Sequence, residues 1–239
     1  MLSANKVSVV IINLNNGAGL RRTLTSVIDQ DYPNLEILVI DGGSTDDSLT
    51  VMQTFDKNLE FKVSEPDDGI YDAMNKGYRR AVGDWVCFMN SGDCFYEPGV
   101  LSKLNLRSGA LCLYGKNENA NGVVKPRSEK ALLHGEMFAC HQSMLFNRGR
   151  LGFRKNLYNT NYRINSDLDL SCKISKEERS FEYSDNIISI TEPGGVSQRK
   201  SWRKRFEWST IVFYHFGPIV LVKAIFRRVF SKIMFMKIN

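Results

Sequence analysis

Strand-like and helix-like segments alternate along the first 90 residues, and this alternation restricts the fold more than any other feature. Each strand-like segment is a short apolar run, as expected for a strand buried on both faces of a parallel sheet. Between these runs, apolar residues recur at the spacing of an amphipathic helix. The pattern predicts a doubly wound α/β sheet. The predicted strands are residues 7–12, 35–40, 61–63 and 84–89.

The fourth predicted strand leads directly to a carboxylate. Turns bound this apolar run, because Gly83 precedes it and the dipeptide Ser91-Gly92 follows it. The carboxyl ends of strands in an open α/β sheet face the ligand crevice, so Asp93 is predicted to meet a charged ligand or a metal ion. An Asx turn after the strand is the alternative interpretation of this residue.

Acidic residues also follow the second and third predicted strands, at Asp41 and at Asp67 and Asp68. Carboxylates at one sheet edge suit a nucleotide-sugar or metal-phosphate site, because they accept hydrogen bonds from base and ribose and hold a divalent ion against a diphosphate. Three loop aspartates also arise by chance, so composition alone leaves this open. Neither GxGxxG nor GxxxxGK[ST] follows the first strand, which argues against dinucleotide and P-loop sites.

Beyond Asp93 the alternation weakens, and the sequence predicts antiparallel additions to the sheet. Residues 110–114 form a predicted strand, and the Asn-Gly pair at 121–122 is typical of a hairpin turn. A further strand is expected at 142–146, a short helix at 167–174, and a strand at 181–190.

The bulk composition describes a globular cytoplasmic protein. Hydrophobic residues make up 43% and charged residues 24% of 239 residues, which excludes disordered and collagen-like classes. Five cysteines without a CxxC pair indicate neither a disulfide framework nor a zinc site. The apolar run near the N-terminus is short and is interpreted as a strand and not as a signal peptide.

The net charge of +6 is unevenly distributed along the chain. Residues 199–239 hold ten Lys and Arg and one acid, Glu207, so the excess positive charge lies in this tail. A basic tail suggests an anionic partner, either a membrane surface or a nucleic acid. The apolar segment 211–222 is expected to be too short to span a bilayer, because His215 and Pro218 interrupt it.

On a helix, the last part of the tail separates an apolar arc from a basic arc. This pattern predicts an amphipathic helix that lies on a membrane surface, with packing or oligomerisation as the alternative. Deletion of residues 206–239 is expected to release the protein from membranes and to leave activity on a soluble acceptor analogue. The apolar arc contains Ile219, Val222, Phe226, Val229, Phe230 and Ile233, and the basic arc contains Lys223, Arg227, Arg228 and Lys232.

Four sequence blocks in this order resemble the family-2 glycosyltransferases of the GT-A fold. The third and fourth blocks are especially similar to exopolysaccharide enzymes of the colanic acid type. The resemblance implies a GT-A (Rossmann-like) mixed sheet flanked by helices, followed by the amphipathic tail. The four blocks are residues 7–15, 39–46, 64–77 and 83–93, and later similar segments are 140–143, 162–170 and 194–197.

The resemblance also implies a domain organisation. A GT-A domain would cover residues 1–198, with a nucleotide-sugar-binding half at 1–95 and an acceptor and catalytic half at 96–198. The remaining residues, 199–239, would form a membrane-association tail.

Several donor-binding roles follow from the resemblance. Asn13 and Asp41 would contact the uracil and ribose of the donor, and Asp68 and Lys76 would lie along its ribose and diphosphate.

Asp93 would be the remaining acid of the family's DxD element and would bind Mn²⁺ or Mg²⁺ on the diphosphate. Ser91 stands where the first acid is expected, so the resemblance implies weak metal binding. A divalent ion on oxygen ligands neutralises the charge that develops on a diphosphate leaving group.

The resemblance assigns the catalytic base of an inverting displacement to Asp167, which would take the proton of the acceptor hydroxyl. The alternative role is an acid placed against a helix dipole. Asp169 lies two residues further, so on a helix the two carboxylates would face different directions. His141 would contact the diphosphate or the acceptor, or would be a hydrogen-bonded structural group.

The sequence therefore predicts a metal-dependent inverting glycosyltransferase, peripheral at the cytoplasmic face of the inner membrane. It would transfer a hexose from a nucleotide-diphosphate donor, a UDP-sugar, to an undecaprenyl-diphosphate-linked acceptor for surface polysaccharide such as O-antigen, capsule or exopolysaccharide. A homodimer is left open. The alternatives are a nucleotidyltransferase, which would need a basic Gly-rich loop at 13–19, and a nonenzymatic module that binds membranes or nucleic acid.

Overall fold

A computed structural model describes residues 5–152, 155–193 and 201–236, with side chains up to residue 228. In these ranges the strands are β1 (Val7–Asn13), β2 (Leu35–Asp41), β3 (Phe61–Ser64), β4 (Trp85–Asn90), β5 (Cys94–Phe95), β6 (Cys112–Asn119), β7 (Gly122–Val124), β8 (Met144–Asn147) and β9 (Phe181–Ile190). These strands form one sheet in the order β3-β2-β1-β4-β8-β6-β9-β5, and β7 pairs with β6.

Helices cover both faces of this sheet. Short 3₁₀ turns join them to the strands at Asp56–Asn58, Leu101–Lys103, Glu129–His134 and His141–Ser143. The α-helices of the described ranges are α1 (Gly17–Ile28), α2 (Ser48–Thr54), α3 (Ile70–Arg80), α4 (Arg148–Leu151), α5 (Ser166–Ile174) and α6 (Trp202–Met236).

The predicted mixed α/β sheet is confirmed. β1 pairs in parallel with both β2 and β4, and β3 joins β2 in parallel. The second half adds β8 antiparallel to β4, and β6 antiparallel to β8. The segment 142–146, predicted as a strand, begins in the turn His141–Ser143 and continues as β8, and the short elements β5 and α4 were not expected from the sequence.

Alternation along β1 builds two apolar layers. Val9 and Ile11 pack with α1 and α2 on one face, and Val10 and Ile12 pack with α3 on the other. Helix α3 approaches this face closely, because a Cβ atom on Gly77 would lie 2.2 Å from Cγ1 of Val10. The two layers hold the carboxyl ends of β1, β2 and β4 rigidly side by side.

Helix α6 consists of two parts that meet at a bend. Gly217 has φ of 81° and is followed by Pro218, so the regular helix is interrupted there. A straight helix would separate positions 208 and 228 by about 30 Å. The Arg228 guanidinium instead lies 3.7 Å from the Trp208 ring centre, so the second part returns to the surface of the domain.

The two parts of α6 differ in burial. Trp208, Ile211 and Val212 are buried in the same core as α3 and α5. In the second part, Ile219 and Phe226 are exposed by 71% and 58%. The described side chains do not include the other apolar-arc residues, Val229, Phe230 and Ile233, or the basic Lys232. The described backbone does not include the similar segment 194–197 or the proposed boundary at 198.

This packing changes one expectation about the tail. The segment Trp202–Arg228 is long and apolar enough to cross a bilayer by length and composition, with a mean hydropathy of 1.6 in its most apolar window, but the bend at Gly217 and Pro218 interrupts it. Deletion from residue 206 would also remove Trp208 from the core, and truncation of a buried Trp costs about 3–5 kcal/mol. We therefore expect that deletion to unfold the domain and not merely to release it from a membrane.

Candidate functional site

The carboxyl ends of β1, β2 and β4 meet at one edge of the sheet. Asn13 is paired in register with Asp41 on the neighbouring strand. On the other side, the Ser91 backbone N–H and Oγ both donate to the Ile12 carbonyl, at 2.9 and 3.1 Å. Asn16 Nδ2 donates to the Ser91 carbonyl at 2.9 Å. The loops after three parallel strands therefore share one edge, as expected for the ligand crevice of an open sheet.

Asp41 is a fully buried carboxylate whose hydrogen-bonding capacity is filled. Its Oδ1 accepts from Asn13 at 2.6 Å and from Ser44 Oγ at 2.5 Å, and its Oδ2 accepts from Ser64 Oγ at 2.5 Å and from the N–H groups of Gly43 and Ser44. Burial alone would raise the pKa of Asp41, but these hydrogen bonds outweigh it and lower the pKa. Asp41 therefore organises the loop after β2 as an ionised group.

Asn13 links this network to the edge formed by the carboxyl ends of β1, β2 and β4. Its Nδ2 also donates to Ser48 Oγ at 2.8 Å. Its Oδ1 is buried and has no hydrogen-bond partner among the described residues. A buried acceptor without a partner is costly, so this atom is suited to accept a hydrogen bond from a ligand.

The loop after β3 places the other two predicted donor contacts further out. The Asp68 side chain is exposed, and its backbone N–H donates to Asp72 at 3.2 Å. Lys76 Nζ donates to the Pro66 carbonyl at 2.9 Å and pairs with Glu65 at 2.9 Å. Lys76, on α3, thus holds the loop after β3 in this structure, and its described contacts do not include the residues at the ends of β1, β2 and β4.

Asp93 lies beside this edge and is only 5% exposed. Gln142 Nε2 donates to its Oδ2 at 2.6 Å, and the Glu192 N–H donates to its Oδ1 at 2.9 Å. Burial raises the pKa of Asp93, and the two hydrogen bonds and the nearby His141 only partly oppose that effect. The site therefore holds a buried carboxylate that a nearby cation would stabilise.

The donor set near Asp93 suits an ion shared with a ligand. The described part of the chain has no group of three or more His, Cys, Asp or Glu residues that could hold a metal ion. Mg²⁺ in phosphate sites is bound by one or two carboxylates, with phosphate oxygens and water completing the shell. Each oxygen of Asp93 keeps a free lone pair beside its single hydrogen bond, so this residue fits that mode of binding.

Asp167 occupies the first turn of α5 and belongs to the second half of the chain. Its Oδ1 accepts from the Tyr71 hydroxyl at 3.1 Å and from the Leu168 N–H at 2.8 Å. Asp169 instead is buried and contacts Lys173 at 2.6 Å and His215 at 2.7 Å. Of these two acids, Asp169 is held in a buried ion pair, whereas Asp167 forms none with the described residues.

The His141 imidazole has a pKa that responds to both carboxylates. Burial lowers the pKa of His141, whereas the charges of Asp167 and Asp93 act in the opposite direction. Both carboxylates are therefore close enough to influence this imidazole. Its Nε2 atom is buried without a hydrogen-bond partner in the described ranges. The structure thus places His141 within electrostatic range of both Asp93 and Asp167.

Sequence reasoning missed several partners of these groups. Gln142 lies inside the recognised segment 140–143, but nothing in the sequence indicated its bond to Asp93. Glu192 lies just past the predicted strand 181–190 and had no assigned role, although its N–H contacts Asp93 from 99 residues away. Tyr71 lies in the third similar block, 64–77, and neither Tyr71 nor His215 has a role predicted from the sequence.

Known sequences resemble this chain over nearly its full length. The family model described as "Glycosyl transferase family 2" matches residues 8–107. A PGL/p-HBAD biosynthesis glycosyltransferase of Mycobacterium bovis BCG is 30% identical, over 99% of this chain and 96% of the relative. An uncharacterized glycosyltransferase of Mycobacterium tuberculosis is 43% identical over 43% of this chain and 40% of its own length.

Solved structures support the fold. Staphylococcus aureus TarS 1–349, solved in complex with UDP, has a TM-score of 0.70 at 19% identity, covering 88% of this chain and 65% of that one. The mannosyltransferase PcManGT of Pyrobaculum calidifontis, solved with GDP-Man and Mn²⁺, has a TM-score of 0.62 at 18% identity, covering 90% and 62%. This chain therefore spans somewhat under two thirds of both solved proteins. The sequence matches and the shared fold together show that the chain belongs to glycosyltransferase family 2 and has the GT-A fold.

Proposed function

We propose that this enzyme transfers a hexose from a nucleoside-diphosphate donor, a UDP-sugar, to a lipid-linked acceptor with inversion at the anomeric carbon. The observation that carries the proposal is the shared edge at the ends of β1, β2 and β4, where the buried Asn13 Oδ1 has no hydrogen-bond partner among the described residues and Asp93 is a buried carboxylate. Family membership favours this enzyme over the nucleotidyltransferase and the nonenzymatic module considered from the sequence alone. The solved structures with UDP and with UDP-GlcNAc support a nucleotide-sugar donor.

The donor half would bind the nucleotide at the shared strand edge. The unpartnered Asn13 Oδ1 would accept a hydrogen bond from the base, and the loop organised by Asp41 would border the ribose. Asp93 would hold a divalent ion on the diphosphate, and Ser91 would line the same turn. That ion would supply charge neutralisation for the leaving nucleoside diphosphate. Asp68 and Lys76 would meet the donor only if their loop contacts rearrange.

The acceptor half would supply the base. Asp167 would take the proton of the acceptor hydroxyl. The hydroxyl oxygen would bond to the anomeric carbon as the bond from that carbon to the diphosphate breaks. The Tyr71 hydroxyl holds one oxygen of Asp167, which leaves the other for the acceptor. His141, kept neutral by burial, would donate a hydrogen bond to the diphosphate.

A membrane-bound acceptor suits the second part of α6. Ile219, Val222 and Phe226 are exposed on this part, and the basic Lys223 and Arg227 accompany them. Arg227 also lines a cleft with Arg127, Lys130 and Arg228. A basic residue near anionic lipid contributes about 1 kcal/mol to binding. We therefore place the enzyme at the cytoplasmic face of the inner membrane, with an undecaprenyl-diphosphate-linked acceptor of surface polysaccharide synthesis.

A donor screen tests this function. Purified protein with a polyprenyl-diphosphate-linked sugar acceptor is expected to release nucleoside diphosphate from a UDP-hexose. EDTA is expected to abolish the release, and added Mn²⁺ or Mg²⁺ to restore it. Release of pyrophosphate from a nucleoside triphosphate and a sugar phosphate would instead contradict the proposal and support a nucleotidyltransferase. The exposed substitution Glu178→Gln serves as the unchanged control.

A further inference from the structure

The first part of α6 contacts the backbone that leads into the helix of Asp167. Glu207, the one acid in the sequence from 199 to 239, is only 3% exposed. Its carboxylate accepts hydrogen bonds from three consecutive backbone N–H groups, those of Arg163 at 2.9 Å, Ile164 at 2.9 Å and Asn165 at 3.1 Å. Charge-assisted bonds of this kind are stronger than neutral ones. Glu207 therefore fixes the path of the chain just before α5.

Two further contacts tie α6 to the same helix. Asn165, the N-cap residue of α5, donates through Nδ2 to the Lys204 carbonyl at 2.9 Å. About two turns beyond Glu207 on α6, His215 Nε2 lies 2.7 Å from Asp169 Oδ1, and both side chains are buried. The first part of α6 thus holds the segment 163–169 at both ends, and Asp167 lies between the contacts.

A short chain of bonds leads from Glu207 to Asp167. The N–H of Ile164 donates to Glu207, and the carbonyl of Ile164 accepts from the Tyr71 hydroxyl at 3.0 Å. The same hydroxyl lies 3.1 Å from Asp167 Oδ1. A shift of Ile164 would therefore move the group that orients the carboxylate.

We propose that Glu207 is a positioning residue for Asp167, so that the first part of α6 belongs to the catalytic unit. The inference rests on the proposed role of Asp167 as the base. The functions of α6 then divide at Gly217: the part before it positions the acceptor-side carboxylate, and the part after it meets the membrane. Displacement of a catalytic group by about 1 Å costs about 10²-fold in rate.

Two variants separate these roles. Glu207→Gln places an amide NH₂ against backbone donors and is expected to lower kcat by about 10- to 100-fold, while the KM for the donor and binding to anionic vesicles stay near wild type. The double variant Ile219→Glu with Phe226→Glu is expected to lose vesicle binding and to keep kcat on a soluble acceptor analogue. Hydrogen exchange should rise locally at residues 163–169 in Glu207→Gln only.

Further controls make each result decisive. Glu178→Gln controls for the loss of one surface charge. If Glu207→Gln does not fold, Asn165→Ala replaces it in the test, because this variant removes the hydrogen bond from Asn165 Nδ2 to the Lys204 carbonyl. A folded Glu207→Gln protein with wild-type kcat would overturn the inference. So would a fall of kcat accompanied by an equal fall of donor affinity and by hydrogen exchange raised throughout the domain. If the wild-type protein transfers no sugar, the proposed function fails, and unchanged exchange at 163–169 would then refute the positioning contact as well.

Discussion

Replacement of Asp167 by Asn is expected to lower kcat by about 10²–10⁴-fold, because the amide cannot take the proton of the acceptor hydroxyl. The amide oxygen can still accept from Tyr71 and from the Leu168 N–H, so the fold of α5 should be kept. The KM for the donor should change little, since in the proposed function Asp167 would contact the acceptor and not the donor. Initial rates with a soluble acceptor analogue, together with thermal unfolding, measure both effects.

Two controls accompany this variant. Asp29→Asn changes an exposed acid at the end of α1 and should leave the rate unchanged. Asp169→Asn breaks the buried contacts to Lys173 and His215, so it should lower the unfolding temperature as well as the rate. An Asp167→Asn enzyme with near-wild-type kcat would exclude this residue as the base.

Replacement of Asp93 by Asn is expected to cost about 10²–10³-fold in kcat/KM for the donor, because the leaving diphosphate loses its charge stabilisation. The stimulation by Mn²⁺ or Mg²⁺ should weaken in parallel. Ser91→Asp is the informative companion, since it restores the first acid of the element 91–93 and should strengthen metal binding. Rates measured across a metal titration test both variants.

The stability of the metal-free Asp93→Asn protein tests the same carboxylate. Burial raises the pKa of Asp93, so folding without a cation favours its protonated form. The wild-type protein should therefore gain stability from this group as the pH falls through its folded pKa towards its unfolded value. The Asn variant should lack this dependence and be no less stable at neutral pH. A large fall in its unfolding temperature would show that Asp93 is chiefly structural.

The sequence was sufficient to predict the sheet and the edge at which the loops after β1, β2 and β4 meet. The apolar runs of β1, β2 and β4 are buried on both faces, so no other periodicity competes with them, and the loops at Asp41 and Asp93 follow directly. Contacts between residues far apart in the sequence could not be predicted; the partners of Asp93, for example, are 49 and 99 residues away. Periodicity gives no information on which residues a distant element will meet.

The burial of residues in the tail could not be predicted from the sequence either. Ile211 and Val212 are core residues, whereas Ile219 and Val222 are exposed, although all four lie in one apolar segment. Hydrophobicity alone cannot distinguish a face that meets a domain from one that meets a lipid surface. The burial of Glu207 was equally hidden, since a single acid among many basic residues is ordinarily solvated.

A crystal structure of the protein with UDP and Mn²⁺ tests the central claim most directly. We expect uracil near Asn13, the diphosphate and the ion at Asp93, and an open space for the sugar that leads towards Asp167. A nucleotide bound away from the ends of β1, β2 and β4, with Asp93 in contact with neither ion nor phosphate, would contradict it.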